Sequence, residues 1–205
     1  MADPMTGDPM TGDQVTFAPV TPDRATDEAF YAVRLGRLID IIGASASAVA
    51  PRRLLDAGCG TGRFTRALTR WGHLVDGIDS SKESIEQCRS QAIGTDRYTA
   101  CRLDAWAPTY LYDVVVAVDV LFHVMDDAVW RNIVVSLAAL VRLGGQLVLT
   151  DHDAEADRLW GESMVARSRQ GYLDVVLPLG FVYVGFRPYR FRDNAAGFHI
   201  FRRIA

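Results

Sequence analysis

Leu54-Leu55-Asp56-Ala57-Gly58-Cys59-Gly60-Thr61-Gly62 is the stretch that decides how the chain is read. An apolar run of strand character leads straight into three glycines at alternate positions, and helix-forming sequence begins at Arg63. Glycine adopts backbone angles closed to other residues and lets a ligand lie against the main chain. A helix starting behind the turn adds unpaired N–H donors. A loop of this kind holds the polar part of a nucleotide-like ligand, and its spacing separates two cofactor chemistries. The dinucleotide fingerprint G-x-G-x-x-G, counted from Gly58, needs a third glycine at position 63, which is Arg63. The loop is G-x-G-x-G instead, with Asp56 two positions before the first glycine. A carboxylate there suits a cationic ammonium group and is a poor neighbour for a pyrophosphate. The alternative is a glycine turn that merely packs a strand against a helix.

Outward from this loop, short apolar runs alternate with helical stretches. Strands are predicted at Arg53–Ala57, Leu74–Ile78, Tyr98–Leu103, Asp113–Val118 and Gln146–Thr150. Helices are predicted near Arg63–Trp71, Lys82–Ala92 and Ala128–Val141, and an earlier one over Ala25–Ile42, where Ala29, Phe30, Val33, Leu38, Ile41 and Ile42 recur at helical spacing. Such alternation means right-handed βαβ units and a mostly parallel sheet covered on both faces. After Asp153 a helical region is expected near Ala154–Leu177. Then come Phe181–Tyr189 and a second run from Phe198, joined by a polar loop and read as an antiparallel hairpin. The expected fold is therefore α/β and Rossmann-like: a seven-stranded, mostly parallel sheet with helices on both faces and a C-terminal antiparallel hairpin. A nicotinamide domain continues instead with parallel strands.

The 205 residues argue for one domain with a real core, expected over 24–205. Residues 1–23, with Pro-Met-Thr-Gly-Asp repeated at Pro4–Asp8 and Pro9–Asp13, read as a disordered tail. A net charge of −3 argues against nucleic acid as a partner, and no apolar run is long enough to span a bilayer. The N-terminus lacks a signal-peptide pattern, and Cys59, Cys88 and Cys101 form an odd set without metal spacing, so a reduced cytoplasmic setting is expected. Assembly is left open, a homodimer included.

From Ala25 to the C-terminus the chain resembles the class I S-adenosylmethionine-dependent methyltransferases of small-molecule type. Leu54–Gly62 matches their first motif almost residue for residue. The resemblance implies that Asp56, Gly58, Cys59, Gly60 and Gly62 hold the amino-acid end of S-adenosyl-L-methionine. Asp79 ends the second strand in Val75-Asp76-Gly77-Ile78-Asp79-Ser80-Ser81, where a carboxylate can accept both ribose hydroxyls. Ser80 stands beside it. Asp79 or Ser80 could otherwise serve only as the cap of the next helix, although Ser81 with Ser84 and Glu83 can do that work. Asp76 is expected to face another way. By the same resemblance Asp104 receives the adenine amino group and the backbone of Ala105 meets the ring. Trp106 either covers the adenine or simply packs. Tyr112-Asp113-Val114-Val115-Val116 matches the fourth-strand motif, with Asp113 structural. Leu143-Gly144-Gly145 matches the turn into the fifth strand, with leucine where the family often has proline.

Methyl transfer to a hydroxyl or ammonium is an in-line displacement in which the acceptor also loses a proton, so a base is useful. Ligands in open α/β sheets lie beyond the carboxyl ends of the strands. The fourth strand ends in Asp119-Val120-Leu121-Phe122-His123 and the fifth in Thr150-Asp151-His152-Asp153. His123 is the first candidate base, with His152 and Asp151 behind it, and Asp119 is expected to line the cofactor near the sulfonium. Asp119, Asp151 and Asp153 are also hard oxygen ligands of the kind Mg²⁺ takes, but the motifs of metal-using members are missing and no metal is expected. Phe30, Tyr31, Arg34 and the stretch Trp160–Tyr172 are left to cover the cleft, which favours a small acceptor. Arg158, Arg167 and Arg169 would meet an anionic group or form a solvated face. The reading is methylation of an oxygen or nitrogen on a small metabolite, natural product or glycan. Its alternatives are a non-catalytic cofactor-binding scaffold of the same fold or, further off, an NAD-dependent oxidoreductase.

Overall fold

The computed structural model describes residues 24–44 and 51–205, so the reading of a tail over residues 1–23 lies outside the described residues. The elements run α1 (Arg24–Ala44), β1 (Arg53–Ala57), α2 (Arg63–Arg70), β2 (Leu74–Asp79), α3 (Lys82–Ser90), β3 (Arg97–Ala100), β4 (Tyr112–Ala117), α4 (Asp127–Ala139) and β5 (Val141–His152). Then follow β6 (Arg158–Trp160), β7 (Met164–Ala166), α5 (Arg169–Val176), β8 (Phe181–Pro188) and β9 (Ala196–Arg203). Single 3-10 turns occupy Leu121–His123 and Leu177–Leu179.

Strand alternation builds the core. Leu55, Ala57, Val115, Ala117, Leu147 and Leu149 pack on one face of the sheet against Ile133 and Leu137 of α4 and Tyr172 and Val176 of α5. Their neighbours Leu54, Val114, Val116 and Val148 point the other way, onto Leu38 and Ile42 of α1 and Leu68 of α2. A strand buried on both faces must be apolar almost throughout, which is why β1 and β4 read as continuous runs.

The sheet order is β3-β2-β1-β4-β5-β9-β8. β1 to β5 pair in parallel, β9 runs antiparallel to β5, and β8 antiparallel to β9. The order reverses between β1 and β4, each of which leaves its carboxyl end at the same crevice, and ligands of open α/β sheets lie at this point. The seven-stranded sheet with its terminal hairpin agrees with the sequence reading.

Three boundaries differ. β3 stops at Ala100 rather than Leu103, and β5 begins at Val141, where its register with β4 shifts between Tyr112 and Val114. The expected helix over Ala154–Leu177 is the substantive correction: β6 and β7 form a small hairpin, and α5 begins only at Arg169. Local polar groups outcompete helix there. Gly161 turns the chain at φ 63°, Asp157 Oδ1 accepts the Ser168 N–H at 2.7 Å, and the Ser168 hydroxyl caps α5 by accepting from the Gly171 N–H.

Candidate active site

The glycine loop sits at the switch point and is tied down on its inner side. The N–H groups of Gly58 and Cys59 both donate to the Ile78 carbonyl, at 2.8 and 2.9 Å, and Gly62 N–H to the Cys59 carbonyl at 2.8 Å. The three glycines all take positive φ, 79°, 51° and 75°. A Cβ on Gly58 would stand 2.6 Å from Val120 Cγ2, which shows that the loop after β1 rests on the segment after β4. A Cβ on Gly62 would meet Cys88 Sγ at 2.9 Å and Tyr98 at 3.0 Å. At Gly60 a Cβ would meet nothing within 4 Å, so the middle glycine faces the open crevice. Cys59 is buried, and burial raises its thiol far above the usual range.

Asp56 is 2% exposed and lies beneath this loop. Its Oδ2 accepts the Thr65 hydroxyl at 2.6 Å. Burial pushes its carboxyl up to about 6, against hydrogen bonds from Thr65 that pull the other way. β1 is sandwiched between two layers, so its last polar side chain is enclosed with it. Asp79 is half-buried and its oxygens are partly used. Oδ2 accepts Gly60 N–H and Oδ1 accepts Ser81 N–H, each at 2.9 Å, which locks the loop to the end of β2. Each oxygen keeps a second lone pair. Ser81 caps α3 by accepting the Ser84 N–H, as expected, and Ser80 is exposed.

Asp104 pairs with Arg102 at 2.7 Å, and that hydrogen bond holds its carboxyl below the usual range. Ala105 is exposed beside it. Trp106 turns inward, donating from Nε1 to the Tyr112 hydroxyl at 2.9 Å and packing on the core. Of the two readings of Trp106, the geometry matches packing. Tyr110 and Tyr112 both donate to Asp76 Oδ2 at 2.8 Å, so Asp76 does face the interior. Asp113 is structural, accepting Arg53 N–H and pairing with Arg142.

Asp119 has φ 54°, an uncommon value for a residue with a side chain. Its N–H donates to Thr150 Oγ1 at 2.8 Å, its Oδ1 accepts the Tyr189 hydroxyl at 2.9 Å, and its Oδ2 pairs with Arg34. The Arg34 guanidinium lies 4.1 Å from the Phe30 ring centre. One carboxylate thus joins α1, the tip of β4 and the end of β8. Sequence reading named Arg34 only as a cover and missed Tyr189, seventy residues from its partner in a stretch that reads as plain hairpin.

At the neighbouring tip, Asp151 is 0% exposed. It accepts the Tyr172 hydroxyl at 2.8 Å and Arg167 N–H at 3.0 Å on Oδ2, and His152 N–H at 2.7 Å on Oδ1. It therefore lies inside the protein, at the tip of β5. His152 is half-buried with Trp160 against its ring, centroids 4.6 Å apart. His123 is exposed, its ring 4.6 Å from Phe122. Arg167 is 5% exposed, not solvated: it donates to the Val124 and Met125 carbonyls and pairs with Asp127 and Asp157, which ties β7 to the segment after β4. Arg169 pairs with Asp153. Among the described residues no group of three or more His, Cys, Asp or Glu side chains is placed to hold a metal ion, and no helix is long and apolar enough to cross a membrane.

A parallel sheet reversing between β1 and β4, with a three-glycine loop at one tip and a carboxylate at the next, defines the class I S-adenosylmethionine-dependent methyltransferases. Residues 29–190 match the family described as methyltransferase domain, and the chain belongs to that family. It is 31% identical over 114 residues to a ubiquinone biosynthesis O-methyltransferase of Vibrio vulnificus (strain YJ016), covering 53% of this chain and 47% of that protein. To the enzyme of the same name from Proteus mirabilis (strain HI4320) it is 35% identical over 101 residues, covering 47% and 40%. The chain thus spans less than half the length of these curated relatives. N-methyltransferase NodS from Bradyrhizobium japonicum WM9, in complex with S-adenosyl-l-homocysteine, superposes with a TM-score of 0.70 at 22% identity, covering 91% of this chain and 93% of that one. Magnesium protoporphyrin IX methyltransferase (ChlM) from Synechocystis PCC 6803, with bound SAM, gives 0.69 at 16% identity, covering 96% and 86%. These two share the fold.

Proposed function

We propose that residues 24–205 form one catalytic domain that transfers a methyl group from S-adenosyl-L-methionine to an oxygen or nitrogen of a small metabolite, natural product or glycan. The observation that carries this reading is the open Gly60 in a loop whose other two glycines are packed tight, with Asp79 fastened to Gly60 N–H. A cradle of that shape fits the cofactor. Gly58 to Gly62 would hold its amino-acid end, with the buried Asp56 beneath, and the free lone pairs of Asp79 would take the ribose hydroxyls. Asp104 and the exposed Ala105 would meet the adenine, with Asp119 nearer the sulfonium. When bound, the cofactor supplies an electrophilic methyl group. The chain's own residues position the acceptor at the tips of β4 and β5, between the segment carrying His123 and the one carrying His152. Positioning of this kind supplies much of the rate. The relatives bear O-methyltransferase names and one fold neighbour an N-methyltransferase name, which supports an oxygen or nitrogen acceptor.

Calorimetry and thermal unfolding test the cofactor. S-adenosylhomocysteine at about a hundred times its dissociation constant should stabilise the protein by about 2.7 kcal/mol, and NAD should not. Stabilisation by NAD alone would overturn the proposal. Asp79→Ala should fold, because the residue ends a strand, and should weaken S-adenosylhomocysteine by about 1.5–3 kcal/mol through loss of hydrogen bonds to a charged group. An unchanged dissociation constant in a folded variant would leave Asp79 only its task of holding Gly60 and Ser81.

A further inference from the structure

Two histidines stand near the proposed acceptor position, and the structure treats them differently. Among the described residues no hydrogen bond orients the His123 imidazole, which is exposed beside Phe122. His152 is held at its backbone and flanked at its ring. Its carbonyl accepts from His199 Nε2 at 3.1 Å, its N–H is bound by Asp151, and the Trp160 ring lies tilted against its own with centroids 4.6 Å apart. Its Nδ1 is buried without a hydrogen-bond partner and stands 3.5 Å from Asp151 Oδ1. The side chain keeps 19% exposure, which therefore falls on the edge that carries Nε2. His152 ends β5, two residues beyond Thr150, which accepts the Asp119 N–H at the neighbouring tip of β4.

An imidazole next to a fixed carboxylate keeps its proton on the nitrogen that faces the carboxylate and leaves the other as an acceptor. Asp151 is well suited to the fixed role, since Tyr172, Arg167 N–H and His152 N–H restrain both of its oxygens. The small Nδ1–carboxylate gap is of the kind that closes in a complex. We infer that His152 is the general base of this site, that Asp151 is its positioning residue, and that the acceptor is a protic group too weakly acidic to ionise unaided, a hydroxyl or ammonium rather than a carboxylate. In the transfer, the acceptor's proton passes to His152 Nε2 as its lone pair forms the bond to the methyl carbon. The carbon–sulfur electron pair returns to sulfur, giving S-adenosylhomocysteine, and the imidazolium then releases its proton to water. This inference rests on the cofactor and acceptor placement proposed above.

The test is nitrogen NMR of the histidine rings in the full chain with S-adenosylhomocysteine bound, using phenol as a hydroxyl probe and benzoate as a carboxylate probe. Neutral His152 should carry its proton on Nδ1. Phenol at millimolar concentration should shift the Nε2 resonance, benzoate should not, and the His123 resonances should stay in place. Asp151→Asn should move the proton toward Nε2 and abolish the phenol response while S-adenosylhomocysteine still binds. A proton on Nε2 in the wild type overturns the assignment, and so does absence of the phenol shift. If Asp151→Asn does not fold, the wild-type spectra decide alone. Failure of S-adenosylhomocysteine to bind the wild type marks instead the failure of the broader functional reading.

Discussion

Gly58→Ala is expected to destabilise the protein by about 2–5 kcal/mol and to abolish measurable cofactor binding. Two costs combine. The residue sits at φ 79°, where a side chain costs about 1–2 kcal/mol. The new methyl would also lie 2.6 Å from Val120 Cγ2 and 2.9 Å from its Cβ. Val120 is packed against the core, so relief means moving the segment after β4, at about 1–3 kcal/mol. Gly60→Ala is the matching control. Its backbone is also left-handed, but its methyl would meet nothing, so only the backbone cost of about 1–2 kcal/mol applies. That methyl would project into the crevice, and ligand affinity should fall without the larger stability loss. Urea unfolding and S-adenosylhomocysteine titration of both variants separate these effects. Equal stability losses would show that the loop does not rest on Val120.

Asp56 should make stability depend on pH in an unusual direction. Its folded carboxyl is raised from 3.8 to about 6 by burial. The folded state therefore holds the proton more tightly than the unfolded state, and the favourable contribution is complete below about pH 4. It is lost as pH rises to about 6 and stays lost above. The rise corresponds to about 3 kcal/mol. Carboxylates held low by arginines, such as Asp104 and Asp153, act in the opposite sense, so the effect must be read as a difference between wild type and Asp56→Asn. The variant keeps an acceptor for the Thr65 hydroxyl. Between about pH 4 and 7 the wild type should lose about 3 kcal/mol relative to it in denaturant unfolding. A difference that does not change with pH would mean Asp56 ionises as freely as a surface acid. If a ligand ammonium also lies above Asp56, wild-type affinity for S-adenosylhomocysteine should strengthen as pH rises through 6, and the variant's should not.

Local signals carried the fold a long way. β1, α2, β2, α3 and α4 lie within two residues of their predicted bounds, because unbroken apolar runs, glycine turns and a serine cap are each read from neighbouring residues. The region from Ala154 to Leu177 misled because the groups that prevent a helix before Arg169 act across the hairpin, between residues distant in sequence. Exposure of Leu159 and Trp160, 68% and 42%, has no local signature at all.

By itself the sequence determined the class of fold, the glycine loop and the order of carboxylates along the strand tips. Those features depend on spacing along one chain: alternation fixes which side chains face which layer, and a glycine that must take positive φ is visible as a glycine. The tertiary structure alone decided what each carboxylate does. Asp56, Asp79, Asp104, Asp119 and Asp151 look alike on paper, yet one is enclosed beneath the loop, one fastens it, one is paired on the surface, one bridges three elements, and one is interior beside a histidine. A carboxylate's protonation and reach are set by burial and by the donors around it. Here donors such as Tyr189, Tyr172 and Arg34 are brought in from distant parts of the chain by the packing of α1, α5 and the terminal hairpin on the sheet.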